Sequence, residues 1–164
     1  MTRLVNRLAL GAYALAVAVI ALDQWLKHWI VDVYRLPERE TTPGIGPMHL
    51  SMVWNRGFSF GLLNGGDQWS RWGLTVFSFV AAVVVAVWVR QVQRPLLAIA
   101  AGLVIGGALG NRIDRLRYGA VVDFIDFTQW RFPWVFNVAD AAINIGVVLL
   151  VCDTLLTSRK AAAR

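Results

Sequence analysis

Trp72-Gly73-Leu74-Thr75-Val76-Phe77-Ser78-Phe79-Val80-Ala81-Ala82-Val83-Val84-Val85-Ala86-Val87-Trp88-Val89 contains no charged side chain. A helix that crosses the hydrocarbon layer needs about 20 mostly apolar residues, so this run reads as a membrane span. The rest of the chain agrees. Its 164 residues are 57% hydrophobic and 16% charged, where soluble domains carry about 25% charged residues. The apolar residues also lie in long blocks, which a small soluble domain does not show. The length accommodates one domain.

Three further blocks flank the first. Leu8 to Ile30 is uncharged as far as Leu22 and then meets Asp23, Lys27 and His28. Pro95 to Asn111 begins with a proline at a position where the first helical turn tolerates it. Val135 to Leu156 is interrupted only by Asp140 and Asp153. The expected spans are therefore about 8–30, 72–89, 95–111 and 135–156, in one integral membrane domain. Arg3 and Arg7 before an alanine-rich run suggest a cleaved signal peptide as the rival for the first block. The Ala-x-Ala patterns fall inside that run, which favours an uncleaved helix. The predicted fold class is an all-α membrane protein with four transmembrane helices and a small β-containing extracytoplasmic element.

The short segments 1–7, 90–94 and 157–164 hold Arg3, Arg7, Arg90, Arg94, Arg159, Lys160 and Arg164. The longer segments 31–71 and 112–134 hold basic residues more sparsely, interleaved with acids. By the positive-inside rule both termini are expected in the cytoplasm. Trp25, Trp29, Trp69, Trp72, Trp130 and Trp134 then fall near the outer ends of spans, as interfacial aromatics do. In the outer loops Met48 to Trp54 and Tyr118 to Val122 read as short strands, among helix breakers such as Pro43, Gly44, Gly46 and Pro47.

The net charge of +6 does not point to nucleic acid, because no basic face with interleaved aromatics accompanies it. The lone Cys152 excludes a disulfide framework, and two histidines without paired cysteines give no zinc site. No metal or other cofactor is expected.

With this topology the polar residues collect at one depth. Asp23 lies near the outer end of the first span, and Asn111, Asp114 and Arg115 near that of the third. Asn137 and Asp140 occupy the first turns of the fourth, and Asp123 lies between the two. Ionisable groups in a membrane are costly and mark sites. Asn111 and Arg115 are four apart, while Asn137, Asp140 and Asn144 share one helical face. Two aspartates in one poorly hydrated site cannot both ionise cheaply, so one keeps a proton and the pair can act as acid and base. Blander readings stand beside this: Asp23 with Lys27 as a helix-end ion pair, Asp114 as a partner of Arg112 or Arg115, and Asp140 as a helix N-terminal charge. Spacing alone does not separate Asp123 from Asp126.

Gly106 to Arg115, continuing through Gly119-Ala120-Val121-Val122-Asp123-Phe124, closely resembles bacterial lipoprotein signal peptidase, also called signal peptidase II. Phe136-Asn137-Val138-Ala139-Asp140 resembles that family's second aspartate motif. Asn55-Arg56-Gly57-Phe58-Ser59-Phe60-Gly61 resembles its outer-loop motif, and Asp23 with Lys27 its first-helix motif. The resemblance implies an aspartyl endopeptidase of the bacterial cytoplasmic membrane, cutting diacylglyceryl-modified prolipoproteins before the lipidated cysteine. It implies Asp123 and Asp140 as the catalytic dyad, with Asp126 a neighbour. Asp23, Asn55, Gly57, Asn111, Arg115 and Asn137 become supporting or substrate-binding residues. The expected partners are those substrates and membrane lipids, with no nucleic acid, and the expected state is a monomer. A transporter, a structural membrane subunit and a Ser59–Lys27 peptidase are the competing classes. The first would place its site near the midplane between repeats, and this chain shows none. The second leaves Asp140 unexplained. For the third, nothing in the sequence brings Ser59 and Lys27 together.

Overall fold

The computed structural model describes residues 6–39, 41–56, 68–130 and 132–162. Its frame is four helices: α1 (Arg7–His28), α2 (Gln68–Trp88), α3 (Pro95–Tyr118) and α4 (Val138–Ala162). Among the described residues three helical stretches are long and apolar enough to cross a membrane: Arg7–Glu38, Pro95–Tyr118 and Val138–Ser158. Four were expected; in α2 the apolar stretch Thr75–Gln91 is shorter than the others.

The helix ends follow local chemistry. Asn6 caps α1, its Oδ1 accepting from Ala9 N at 2.7 Å. Its Nδ2 donates to Val92 O at 2.8 Å and Arg90 O at 3.1 Å, tying the start of α1 to the turn between α2 and α3. Such a cap satisfies one of the orphan donors of a helix start. Pro95 opens α3 as expected, but α3 ends at Tyr118 rather than Asn111. Gly119 stops it in the left-handed conformation (φ 69°), donating to Arg115 O. This turn sends the chain back as a strand.

α3 packs against each of the other three helices and is the most buried of the apolar stretches. Its partners approach closely because the contacts are small. Ala9, Ala12 and Ala16 of α1 meet Ala98, Ala101 and Ile105 of α3. A Cβ on Gly107 would sit 2.3 Å from the backbone oxygen of Ala139 in α4. Large apolar side chains point outward instead, among them Val76, Phe77, Val80, Val83 and Val84 on α2 and Val148, Val151 and Leu155 on α4. Between helices in lipid, burying apolar surface gains little, so small residues occupy the contacts.

One end of the bundle carries a four-stranded antiparallel sheet, in the order β1 (Thr42–Pro43), β2 (His49–Asn55), β3 (Val121–Asp126) and β4 (Val135–Phe136). The expected strand at 48–54 is β2, shifted by one residue. The one expected at 118–122 lies further on, because Tyr118 still belongs to α3 and Gly119 makes the turn. β4 takes two residues that were assigned to the fourth span, so α4 starts at Val138. Ile30, Leu36, Val122 and Phe124 form a second apolar cluster, which seats the sheet on the extension of α1.

Candidate active site

β2 and β3 pair with Val53 opposite Asp123 and Asn55 opposite Val121. Asn55 and Val53 are two apart on one strand, so both side chains rise from the same face. Asn55 is therefore the diagonal neighbour of Asp123, and its Nδ2 donates to Asp123 Oδ2 at 3.0 Å. Asp123 and Asp126 are three apart and point to opposite faces. Asp126 accepts instead from Ser51 Oγ at 2.5 Å and Thr128 N at 2.7 Å. Burial pushes its carboxyl up, yet these hydrogen bonds hold it below its ordinary value. Strand alternation thus separates the two aspartates.

Asn137 follows β4 and caps α4. Its Oδ1 accepts from Asp140 N at 2.9 Å, and its own N–H lies 3.3 Å from Asp140 Oδ2. This is a reciprocal capping box with an aspartate at the third helical position. The reading of Asp140 as a helix N-terminal charge is thus correct as far as it goes. The Asn137 side chain, fully buried, also donates from Nδ2 to Asp123 Oδ1 at 2.6 Å, and lies within reach of Asn111 Oδ1 at 3.1 Å and Val122 O at 3.2 Å. Asn111 Nδ2 donates to Asp140 Oδ1 at 2.7 Å. Asp123 and Asp140 are thereby held around one pair of amides.

Behind the amides lies a buried ion cluster. Lys27 Nζ contacts Asp23 Oδ2 at 2.8 Å, Asp114 Oδ2 at 2.6 Å and Asn111 Oδ1 at 3.2 Å. Asp23 and Lys27 do form the expected i, i+4 pair, but inside the protein. Asp114 does not pair with Arg112 or Arg115. Arg112 instead lies over the Phe79 ring at 3.9 Å. Gln24, which no motif singled out, donates to Asp114 Oδ1 at 2.8 Å. The Asp23-Gln24-Lys27 spacing and the i, i+3 relation of Asn111 to Asp114 are the sequence signals that could have found this cluster.

Arg115 is partly buried and shares a small cavity of about 40 Å³ with Trp72, Thr75, Leu116 and Gly119. Gly57 and Ser59 lie outside the described residues. Lys27, engaged by two carboxylates and an amide oxygen, is not free to serve as a base for a Ser–Lys reaction.

Burial, reinforced by the negative charge of Asp140, pushes the Asp123 carboxyl up to about 7, against the hydrogen bonds from Asn55 and Asn137. Asp123 is 1% exposed, whereas Asp140 is only partly buried. At pH 7 the Asp123 carboxyl is therefore about half protonated, beside a second carboxyl group. Such a pair can donate and accept protons across one bound carbonyl.

The family model for signal peptidase (SPase) II matches residues 15–156. The chain belongs to the signal peptidase II family. It is thus a member of a peptidase family, with apolar helices in keeping with a membrane location. The lipoprotein signal peptidase of Caulobacter vibrioides is 50% identical over 147 residues, covering 89% of this chain and 87% of that protein. The one from Methylorubrum extorquens is 43% identical over 148 residues, covering 88% and 85%. Among solved structures, a bacterial membrane enzyme determined by the in meso method at 2.3 Å superposes with a TM-score of 0.76. It is 26% identical, with 90% of this chain and 89% of that one covered.

Proposed function

We propose that the chain is an intramembrane aspartyl endopeptidase that removes signal peptides from diacylglyceryl-modified prolipoproteins, cutting before the lipidated cysteine. The observation that carries this reading is that Asp123 and Asp140, from different elements, converge on the Asn111 and Asn137 amides. Asp123 enters as the acid, because its pKa of about 7 keeps a large share of it protonated near neutrality, and Asp140 is the base. Asp140 takes a proton from water as the water oxygen bonds to the scissile carbonyl carbon. Asp123 gives its proton to the carbonyl oxygen, forming a gem-diol. The Asp140 proton then passes to the leaving nitrogen, the C–N bond breaks, and one diol proton returns to Asp123. Water is the nucleophile and two carboxyl groups hold both proton roles, so the scheme uses no cofactor.

Asp23, Asn55, Asn111, Arg115 and Asn137 support the dyad, and Gly57 belongs with them as a supporting or substrate-binding residue. The polar site gathers at the sheet end of an apolar bundle, which supports a location near the outer leaflet of the cytoplasmic membrane with both termini inside. α2 presents an outward apolar face, supporting a fourth span. The protein acts as a monomer.

Asp123→Asn and Asp140→Asn should each abolish cleavage while insertion in the membrane persists. The assay incubates detergent-solubilised protein with a diacylglyceryl-modified preprolipoprotein and follows the band shift on signal-peptide release. Asp126→Asn should keep most activity. Normal cleavage by both dyad variants, or a loss in Asp126→Asn equal to theirs, sinks the assignment.

A further inference from the structure

The ion cluster behind the amides has a symmetry that bonding between charges does not require. Asp23 Oδ1 accepts from Ala139 N at 3.0 Å, and Ala139 immediately precedes Asp140. Asp114 Oδ2 accepts from Val122 N at 3.1 Å, and Val122 immediately precedes Asp123. Each carboxylate that binds Lys27 thus also grips the backbone one residue before a dyad aspartate. The third Lys27 contact is Asn111 Oδ1. An ammonium group has donors only, so the oxygen of Asn111 must face it and the nitrogen is left for Asp140. That oxygen also receives Asn137 Nδ2, which reaches Asp123 as well.

We propose that Lys27 is a positioning residue for peptide cleavage. It fixes which end of the Asn111 amide faces Asp140, and through Asp23 and Asp114 it sets where both dyad carboxyls stand. This rests on the aspartyl-peptidase reading. Without the ammonium, Asn111 can turn its oxygen toward the Asp140 carboxylate, replacing a donor by a repulsion. A lysine kept only for stability would be replaceable, since buried ion pairs often give way to apolar groups without loss.

The test uses the full chain in detergent with the same lipidated substrate. Lys27→Met alone leaves two buried carboxylates uncompensated and can fail to fold. Lys27→Met combined with Asp23→Asn and Asp114→Asn, which leaves no unpaired charge in the cluster, is therefore compared with Asp114→Asn alone, which keeps the Lys27–Asp23 pair. Asn at 23 keeps an oxygen for Ala139 N. Asn at 114 retains an oxygen for Val122 N. The combined variant should melt within a few degrees of the single one. Its kcat should fall roughly 10- to 100-fold, as slight misplacement of reacting groups does, with KM within about twofold. The acid limb of its kcat–pH profile should also move to higher pH. The charged groups that face Asp140 are Asp123 on β3 and Arg115 on α3, while Lys27 and Asp23 on α1 and Asp114 on α3 cluster behind the Asn111 amide. A folded combined variant with unchanged kcat and pH profile overturns the proposal. So does one whose loss lies in KM, or one that cannot be purified folded, since positioning presupposes a fold that survives without the ammonium. If Asp123→Asn is inactive in the same assay, that failure concerns Lys27 alone; an active Asp123→Asn breaks the underlying reading instead.

Discussion

The two ends of the helical bundle use polar groups in different ways. At the end away from the sheet, Asp153 of α4 lies 2.7 Å from Arg94 at the foot of α3. The contact is an ion pair off the hydrogen-bonding direction. The Arg94 side chain is half exposed, and it also touches Thr157. At the sheet end, Asn111, Asn137, Asp114 and Asp23 each serve two or more partners and are all buried. One end is a clamp that tolerates adjustment. The other is a lattice in which moving any member misorients the next, as buried networks do when every member is satisfied. The contrast to be tested is that the network at the sheet end specifies positions, whereas the clamp only joins helices.

The largest effect that breaks this contrast should come from Asn137→Ala. It removes a helix cap, typically worth about 1 kcal/mol, together with the donor to Asp123. Cleavage should fall by at least about 100-fold, as loss of a preorganised donor does, and the melting temperature in detergent should drop. A variant that melts lower but cleaves normally would make the lattice a stability device only.

Next in size is a pH dependence. The Asp123 carboxyl titrates near 7 when folded and near 3.9 when unfolded. The folded state therefore holds a proton that the unfolded state has released. Its stabilising contribution is complete below about pH 4 and is lost as pH rises toward 7, at roughly 1.4 kcal/mol per pH unit. Melting curves recorded between pH 5 and 7 should decline in the wild type and flatten in Asp123→Asn. Asp140→Asn, which removes the charge that helps push Asp123 up, should flatten them in part. A slope unchanged in Asp123→Asn would assign the titration elsewhere.

The smallest effect belongs to the clamp. With one partner half exposed, the Arg94–Asp153 pair contributes at most about 1 kcal/mol. Arg94→Ala should lower the melting temperature by a few degrees and leave kcat within twofold. A larger activity loss would show that the two ends are coupled.

Much of this was legible in the sequence because lipid imposes long apolar blocks and makes each charge within them conspicuous. Asp123, Asp140, Asn111 and Asn137 were marked by cost, spacing and motif, and the structure brings them together. The limits of α3 and α4 were not legible. Apolar periodicity carries no sign of where Gly119 adopts its left-handed turn, or of Val135 and Phe136 pairing with β3 before α4 begins. The role of Asp114 was missed for a related reason. Its neighbours in sequence, Arg112 and Arg115, suggested a local pair, whereas its partner Lys27 comes from another helix and meets it only because α1 and α3 pack so closely. Spacing alone left Asp126 beside Asp123; the family motif set Asp126 aside, and the alternation of the strand through both supplies the physical reason.

The double duty of Asn137 has a consequence for the birth of the protein. Its side chain caps α4 and bonds Asp123, so the site closes only when the last helix has docked against β3 and α3. Before that, the two proposed catalytic carboxyls belong to separate pieces of chain. A half-built molecule therefore lacks the assembled pair, and completion of its own fold is the step that brings the two carboxyls together.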